Sequence, residues 1–549
     1  MQLTTISARA ILAAGGAVAA MSKRALLTAT GARMLLVVGG AVAAISTRAL
    51  LAACGAVAAT GALAAEAPVI EMSIADIRTA LLEDGVSCAA IIQSHLDRIG
   101  KYDRQLNSVI AVNPDALAAA RALDALPRGA QRKLDLLCTP LLVKDNIDVA
   151  GMPTTAGSRL LADNVAPADA PTVAALRRAG AIPIAKTNMS EFAFNYKGAS
   201  AVGGRTRNPY NILNSAGGSS SGNAAALAAS FGVIALGTDT SGSLRVPAAV
   251  TGLVGLRPTH GTVDGRGVVP LSPSQDVVGP MCRSADDCLQ VMRLIATPDA
   301  GAADEARSTP SLAETRIGVV RALFPEAPVY MREVDAFIER LRRAGITVQD
   351  VEIDDVQVLT GNIAPPGEQS KFASRSVFDF PPEFAAYLSG RRLAFNTYAE
   401  FELRLRALNA QGLEGDRVLA DVASFGRNHE HRRDDDRYRI NGAYRDVYVK
   451  ARLDRALASF DFLMYPSVQG FNGTAANGPE TGGTHRLSAY SGYPALAFPV
   501  GWAAPAAWAP LEPVGIELLG RRNDDLRLLK LLRQLEKQQA PRYTPPVMR

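Results

Sequence analysis

The chain has 549 residues, 48% of them hydrophobic and 20% charged, which excludes a disordered or fibrous protein and provides for a large buried core. Its net charge of +5 suggests anionic partners only until it is placed on the chain. Arg9, Lys23, Arg24, Arg33 and Arg48 precede the first acidic residue, Glu66, so residues 65–549 are neutral and make no electrostatic case for nucleic-acid binding.

Residues 1–64 read as a leader. GGAVAAM at 15–21 returns as GGAVAAI at 39–45, a repeat of 24 residues with a basic patch after each copy. A duplicated export segment accounts for this, and so does a true start at Met21 or Met34. In the last copy Arg48 forms a basic n-region, residues 49–60 an apolar h-region and Ala62-Leu63-Ala64 a small-x-small cleavage site. Leu51-Ala52-Ala53-Cys54 resembles a lipoprotein box, but Arg48 stands close upstream and the residues after Cys54 stay apolar. No uncharged run reaches the roughly 18 strongly apolar residues of a membrane span. The expectation is cleaved export to the periplasm or the medium.

Without the leader, Cys88, Cys138, Cys282 and Cys288 remain, too few for a disulfide scaffold and wrongly spaced for zinc. Cys282 and Cys288 are candidates for a bridge, and two buried free thiols are at least as good a reading.

Residues 73–101 carry helical periodicity, in two helices joined across a glycine, with His95 as a packing or surface residue. Residues 114–126 predict another, alanine-rich helix. From Leu136 the pattern changes to short apolar runs ending in turn residues: LLCTPLLVKDNID, AIPIAKTNMSEF, VIALGTDTSGS and TGLVGLRPT. Helical stretches such as APTVAALRRAG and GNAAALAAS lie between them. This alternation predicts an α/β fold, a single large domain over 65–549 with a central mixed, largely parallel sheet covered by helices on both faces. Its densest part is 136–290. The region 300–460 is more charged and more helical, with ETRIGVVRALF as a return to a strand. In RNHEHRRDDDRYR at 427–439, His429 and His431 suggest a metal site less well than a solvated helix face. DFLMYPSV at 461–468 and YPALAFPVGW at 493–502 predict late buried strands.

The stretch AGGSSSGNAAALAAS at 216–230 carries the chemistry. It is no phosphate loop, since no Gly-Lys-Ser/Thr follows. Gly218 to Gly222 satisfy G-x-S-x-G, which would make Ser220 the nucleophile of an α/β-hydrolase, but that fold needs a histidine. His260, His429, His431 and His485 all lack a telling context. A second serine follows the strand VIALGTD, in Thr240-Ser241-Gly242-Ser243-Leu244-Arg245. Small residues leaving a strand expose several backbone N–H groups in one turn, a natural oxyanion hole. Upstream, Lys144 ends the apolar run LLVK, where a surface lysine would be out of place.

In these residues the chain resembles the amidase signature family. The matching run is AGGSSSGNAAALAASFGVIALGTDTSGSLRVPAAVTGLVGLRPTHG at 216–261, with LLVKDNIDVAGMPTTAGS, KTNMSEFAFN and VVPLSPSQDVVGPM also similar. The likeness spans most of residues 70–535. It implies Ser243 as nucleophile, Ser219 as bridging serine after a cis peptide bond, and Lys144 as base. The N–H groups of Thr240, Ser241, Gly242 and Ser243 would form the oxyanion hole. Asp239 and Arg245 would hold the turn as an ion pair. A free lysine, with a pKa of about 10.4, is no base at neutral pH, and bringing it to neutrality takes roughly 4 kcal/mol, which burial supplies. Ser221, Asn223 and Ser241 depart mildly from the family pattern.

The resemblance implies hydrolysis of a linear carboxamide, with ester or carbamate cleavage alongside, and neither cofactor nor metal. An amidotransferase subunit passing ammonia to a tRNA-bound substrate is the alternative, opposed by the leader and the neutral body. Residues 300–490 are the expected specificity region, with 381–401 and 470–485 as pocket walls. Monomer and homodimer are equally compatible with the sequence.

Overall fold

The apolar runs become strands of one eleven-stranded sheet in a computed structural model of the chain. It describes residues 36–38, 41–43, 69–305, 310–361, 375–413, 415–438, 444–471, 473–474, 477–537 and 542–546. The chain divides into two compact units, Met1–Glu66 and Ala67–Arg549. In the first, Leu36–Val38 pairs antiparallel with Ala41–Ala43. The rest of the expected leader, with its cleavage site, lies outside the described residues.

Among the described residues the strands of this large sheet, all in the second unit, begin with β1 (Val109–Val112), β2 (Pro140–Lys144), β3 (Ile182–Thr187), β4 (Ile234–Asp239), β5 (Val254–Arg257) and β6 (Val277–Cys282). They continue as β7 (Arg316–Val319), β8 (Thr347–Asp350), β9 (Phe462–Pro466), β10 (Ala495–Ala503) and β11 (Glu512–Leu519). The order across the sheet is β8-β7-β9-β11-β10-β5-β6-β4-β2-β3-β1. The sheet is mixed, as expected, and its parallel pairs form two blocks, β8-β7-β9 and β4-β2-β3. Antiparallel strands join the blocks and close the β1 edge. Every residue of β2, β3 and β4 is buried, so both faces of the sheet are covered there.

The register places the functional strand ends together. Leu236 of β4 lies beside Val143 of the parallel β2. Lys144 and Asp239 therefore end neighbouring strands at the same edge, the edge where open α/β sheets gather their ligands. Over this block lies the helix Ser221–Ala228, whose residues are all buried. Its small side chains let the backbone come close. A Cβ on Gly222 would stand 2.3 Å from the Asn188 nitrogen and 2.4 Å from the Ser108 oxygen, so only glycine fits.

The two expected N-terminal helices are Ile74–Leu82 and Cys88–Leu106, capped by Ser73 and Ser87, with Gly85 at a positive φ of 73° between them. The second runs past the expected end at residue 101 until Asn107 takes a left-handed cap. His95 is fully buried, and burial, with Arg283 nearby, lowers its pKa to about 3, so it packs as a neutral ring.

The cysteines sort differently from the bridge considered above. Cys282 and Cys288 are free and buried, one ending β6 and the other on the following helix, Ala285–Ile295. Cys88 and Cys138 form the disulfide, with Cα atoms 5.6 Å apart. Fifty residues separate them, so the pairing comes from the fold and not from proximity in sequence. Among the described residues no helix is long and apolar enough to cross a membrane.

Candidate active site

Lys144 is fully buried at the end of β2, and its Nζ donates to Ser219 Oγ at 2.7 Å, Thr238 Oγ1 at 2.7 Å and Thr238 O at 3.4 Å. Asn146 Nδ2 donates to the same threonine hydroxyl at 3.1 Å. Among the described residues Lys144 has no ion-pair partner. A second buried lysine shows the contrast, because Lys186 Nζ lies 3.3 Å from Asp145 Oδ1. Burial brings the Lys144 pKa down to about 7, against the more distant attraction of Asp239 and Asp276. An amine with that pKa is substantially neutral at physiological pH, and its lone pair is then available to a hydroxyl 2.7 Å away.

Ser219 reaches the lysine through the glycine turn. The Gly218–Ser219 peptide is cis, as the resemblance implied, and Gly217 has a φ of 74°. A Cβ on Gly217 would stand 2.9 Å from the Pro247 Cα, and one on Gly218 2.5 Å from Ser190 Oγ. Both glycines are therefore required by close approach. Ser190 N–H donates to Ser219 O at 3.0 Å and fixes the turn from outside.

The second serine turn follows β4 directly. Ser220 N–H donates to Ser243 O at 3.1 Å, which binds the two serine turns to each other. Ser243 is buried, with 3% of its surface exposed. Of the four N–H groups expected to face an oxyanion, Gly242 is already engaged, donating to Asp239 Oδ1 at 2.6 Å. The N–H groups of Thr240, Ser241 and Ser243 make no hydrogen bond among the described residues. Three of the four expected N–H groups are thus without a hydrogen-bond partner among the described residues. Gly242 serves as an anchor because the Asp239 carboxylate lies beneath the turn and takes Leu244 N–H as well, at 3.2 Å.

Asp239 and Arg245 do form an ion pair, at 3.0 Å, inside a larger buried cluster. Arg257 Nη1 lies 3.1 Å from Asp239 Oδ1, and Arg245 Nη1 lies 2.6 Å from Glu517 Oε2 on β11. Burial opposes ionisation of Asp239, but Arg245 and Arg257 outweigh it and hold the carboxyl well below the usual carboxylate range. Asp239 is thus a permanent anion that organises the turn.

Ser220 is fully buried, and its hydroxyl donates to Thr238 O at 3.3 Å. No histidine bonds to it among the described residues. His260 contacts Pro273 O at 2.7 Å, and His429 contacts Phe378 O at 3.0 Å and Arg432 at 3.1 Å. His431 caps the C-terminus of the helix Asp416–Glu430. His485, the remaining candidate, lies beside the Thr240–Ser243 turn, with Nε2 3.0 Å from Tyr196 Oη.

Sequence reasoning missed Thr238, Asn146, Tyr196, Gln275 and Asp276. Asp276 accepts from Thr240 Oγ1 at 2.6 Å, and Gln275 Nε2 donates to Thr240 O at 3.1 Å. Both lie inside the matching run VVPLSPSQDVVGPM, which offered a signal. Tyr196 follows a matching run by one residue, and Thr238 is hidden in an apolar strand. The segments 381–401 and 470–485 make contacts with residues that follow Lys144 and with the stretch 192–196. In 381–401, Phe384 and Phe401 pack edge-on against Phe192 at 5.7 and 5.4 Å, and Tyr387 Oη donates to Asp148 Oδ1 at 3.2 Å. In 470–485, a Cβ on Gly478 would stand 2.9 Å from Tyr196 O.

A family model described as Amidase matches residues 90–529. Among curated relatives, a glutamyl-tRNA(Gln) amidotransferase subunit from Pseudomonas syringae pv. tomato is 33% identical over 491 residues, 85% of this chain and 97% of that one. The corresponding amidotransferase chain from Symbiobacterium thermophilum is 40% identical over 299 residues, 52% of this chain and 61% of that protein. The solved native peptide amidase from Stenotrophomonas maltophilia is similar with a TM-score of 0.70 and 30% identity, covering 87% of this chain and 99% of its own.

Proposed function

The chain belongs to the amidase signature family, and we propose that it hydrolyses the C–N bond of a linear carboxamide through an acyl-enzyme on Ser243. The supporting observation is the 2.7 Å contact between Ser219 Oγ and a fully buried Lys144 without an ion-pair partner among the described residues. Neutral Lys144 accepts the Ser219 proton while Ser219 accepts that of Ser243. Ser243 Oγ forms a bond to the amide carbonyl carbon, and the carbonyl electron pair moves to an oxyanion facing the N–H groups of Thr240, Ser241 and Ser243. Collapse breaks the C–N bond, and the relay run backwards protonates the departing amine. Water, deprotonated by the same relay, then releases the carboxylate.

The name of the solved neighbour, peptide amidase, supports C-terminally amidated peptides as the first substrates to test. Turnover in the presence of hydroxylamine tests the acyl-enzyme. An amide and an ester with the same acyl group will give the same ratio of hydroxamate to acid. Different ratios for the two would rule out a common intermediate.

The names of the curated relatives favour a second reading, a subunit that releases ammonia from glutamine for a partner. Glutamine hydrolysed faster than the amidated peptides would favour it. Export of the mature enzyme is supported by the repeated leader and by the Cys88–Cys138 disulfide, a bond that persists in oxidising compartments. The N-terminal sequence of protein recovered from the periplasm or medium tests it, with a start near residue 65 expected.

A further inference from the structure

The nucleophile turn is held on one side by residues that none of the relay steps uses. Tyr196 Oη donates to Ser241 O at 2.5 Å. A phenol has one proton, and here it is committed to that carbonyl. The 3.0 Å contact between Tyr196 Oη and His485 Nε2 therefore has the imidazole as donor, which fixes the Nε2–H tautomer. The other ring nitrogen, Nδ1, is buried and has no hydrogen-bond partner among the described residues. Burial and the neighbouring Arg486 and Arg245 keep the ring neutral.

His485 also closes the structure around the turn. Its own carbonyl accepts from Arg245 Nη2 at 3.0 Å, and Arg245 binds the Asp239 carboxylate that holds Gly242 N–H. Its ring packs on Gly242, where a Cβ would stand 2.9 Å from His485 Cβ. The Ser241–Gly242 peptide is thus gripped at both polar ends, the carbonyl by Tyr196 and the N–H by Asp239. Fixing that plane restrains the flanking Ser241 and Ser243 N–H groups, each only one residue's φ/ψ pair away.

We infer that Tyr196 and His485 are positioning residues that set the oxyanion-binding geometry of the Thr240–Ser243 turn by clamping the Ser241 carbonyl. The inference rests on Ser243 being the nucleophile. A small displacement of such groups is felt mainly in the transition state, where roughly 1 Å of misplacement lowers the rate on the order of 100-fold.

The test compares Tyr196→Phe, His485→Leu and His485→Gln with the wild type, after a fluorophosphonate label has been mapped to Ser243. A label elsewhere removes the premise, independently of what the variants show. Each variant is assayed for kcat and KM on one amide, for the Ki of a trifluoromethyl ketone carrying the same acyl group, and for the melting temperature. Tyr196→Phe is expected to lower kcat about 10- to 100-fold with KM within about twofold, and to raise the Ki by a similar factor, because only the tetrahedral adduct carries the oxyanion. His485→Leu is expected to behave in the same way. His485→Gln, which keeps a donor for the tyrosine, is expected to recover several-fold of the kcat that the leucine variant loses. The inference is overturned if kcat falls while the ketone Ki stays at the wild-type value. Glutamine and leucine giving equal losses that track the melting temperature would overturn it too, since that pattern belongs to packing alone.

Discussion

Replacing Lys144 with methionine exchanges an amine for a thioether of similar reach, and the structure gives this variant two opposite signatures. Amide turnover is expected to fall roughly 10²- to 10⁴-fold, the range for a missing general base. Stability is expected to change with a pH dependence of defined sign. Burial carries the Lys144 pKa from 10.5 to about 7. At about 1.4 kcal/mol per pH unit, the fold disfavours the ammonium form by about 5 kcal/mol. Below pH 7 both the folded and the unfolded chain hold the proton, and the full penalty is present. Between pH 7 and 10.5 the unfolded lysine still holds a proton that the folded one has released, so wild-type stability rises with pH. Above that window the penalty is gone. Methionine has no such slope, and every other titrating group is shared by the two proteins. The unfolding free energy of Lys144→Met minus that of the wild type should therefore shrink by about 3 kcal/mol between about pH 7 and about pH 9.5. Urea unfolding followed by circular dichroism at the two pH values measures it. A difference that does not change with pH would refute the argument that burial neutralises this lysine, and so would retained turnover.

Thr238→Val removes the hydroxyl that accepts from both Lys144 and Asn146. It should lower kcat about tenfold or more in the amide assay and destabilise by about 1–3 kcal/mol in urea, because two buried donors lose their acceptor. Arg245→Leu leaves Asp239 and Glu517 buried beside an apolar side chain. A loss of about 3–5 kcal/mol is expected from urea midpoints, together with loss of activity as the turn loosens. The Cys88–Cys138 bond closes a loop of 50 residues, so Cys88→Ala with Cys138→Ala should lower stability by about 4 kcal/mol in the chain-entropy picture, read as a fall in melting temperature.

What the sequence made legible had local causes. Lys144 stood out because it ends an apolar strand, and that strand is buried throughout. The runs VIALGTD, DFLMYPSV and YPALAFPVGW announced β4, β9 and β10 by length and apolar content alone. Ser219 and Ser243 were reached through the length of the family resemblance, since GGSSSG by itself equally offered Ser220. What stayed hidden depends on residues that meet only through space. Tyr196 and His485 lie 289 positions apart, and neither carries a local signal. Thr238 reads as one more strand residue until the parallel register brings it against Lys144. The use of Gly242 N–H by Asp239 depends on the path of the turn, which composition does not encode. The Cys88–Cys138 bond leaves no mark in the sequence, because fold proximity and not spacing brings those residues together.

In the relay proposed above, Ser243 is made nucleophilic through Ser219 by a neutral, buried Lys144. Peptide mapping after reaction with a fluorophosphonate, beside anilide hydrolysis by the same preparation, tests it most directly. The label is expected on Ser243 in the wild type, with labelling and anilide cleavage lost together in Lys144→Met. A label on Ser220, or a labelled and active Lys144→Met, would contradict it.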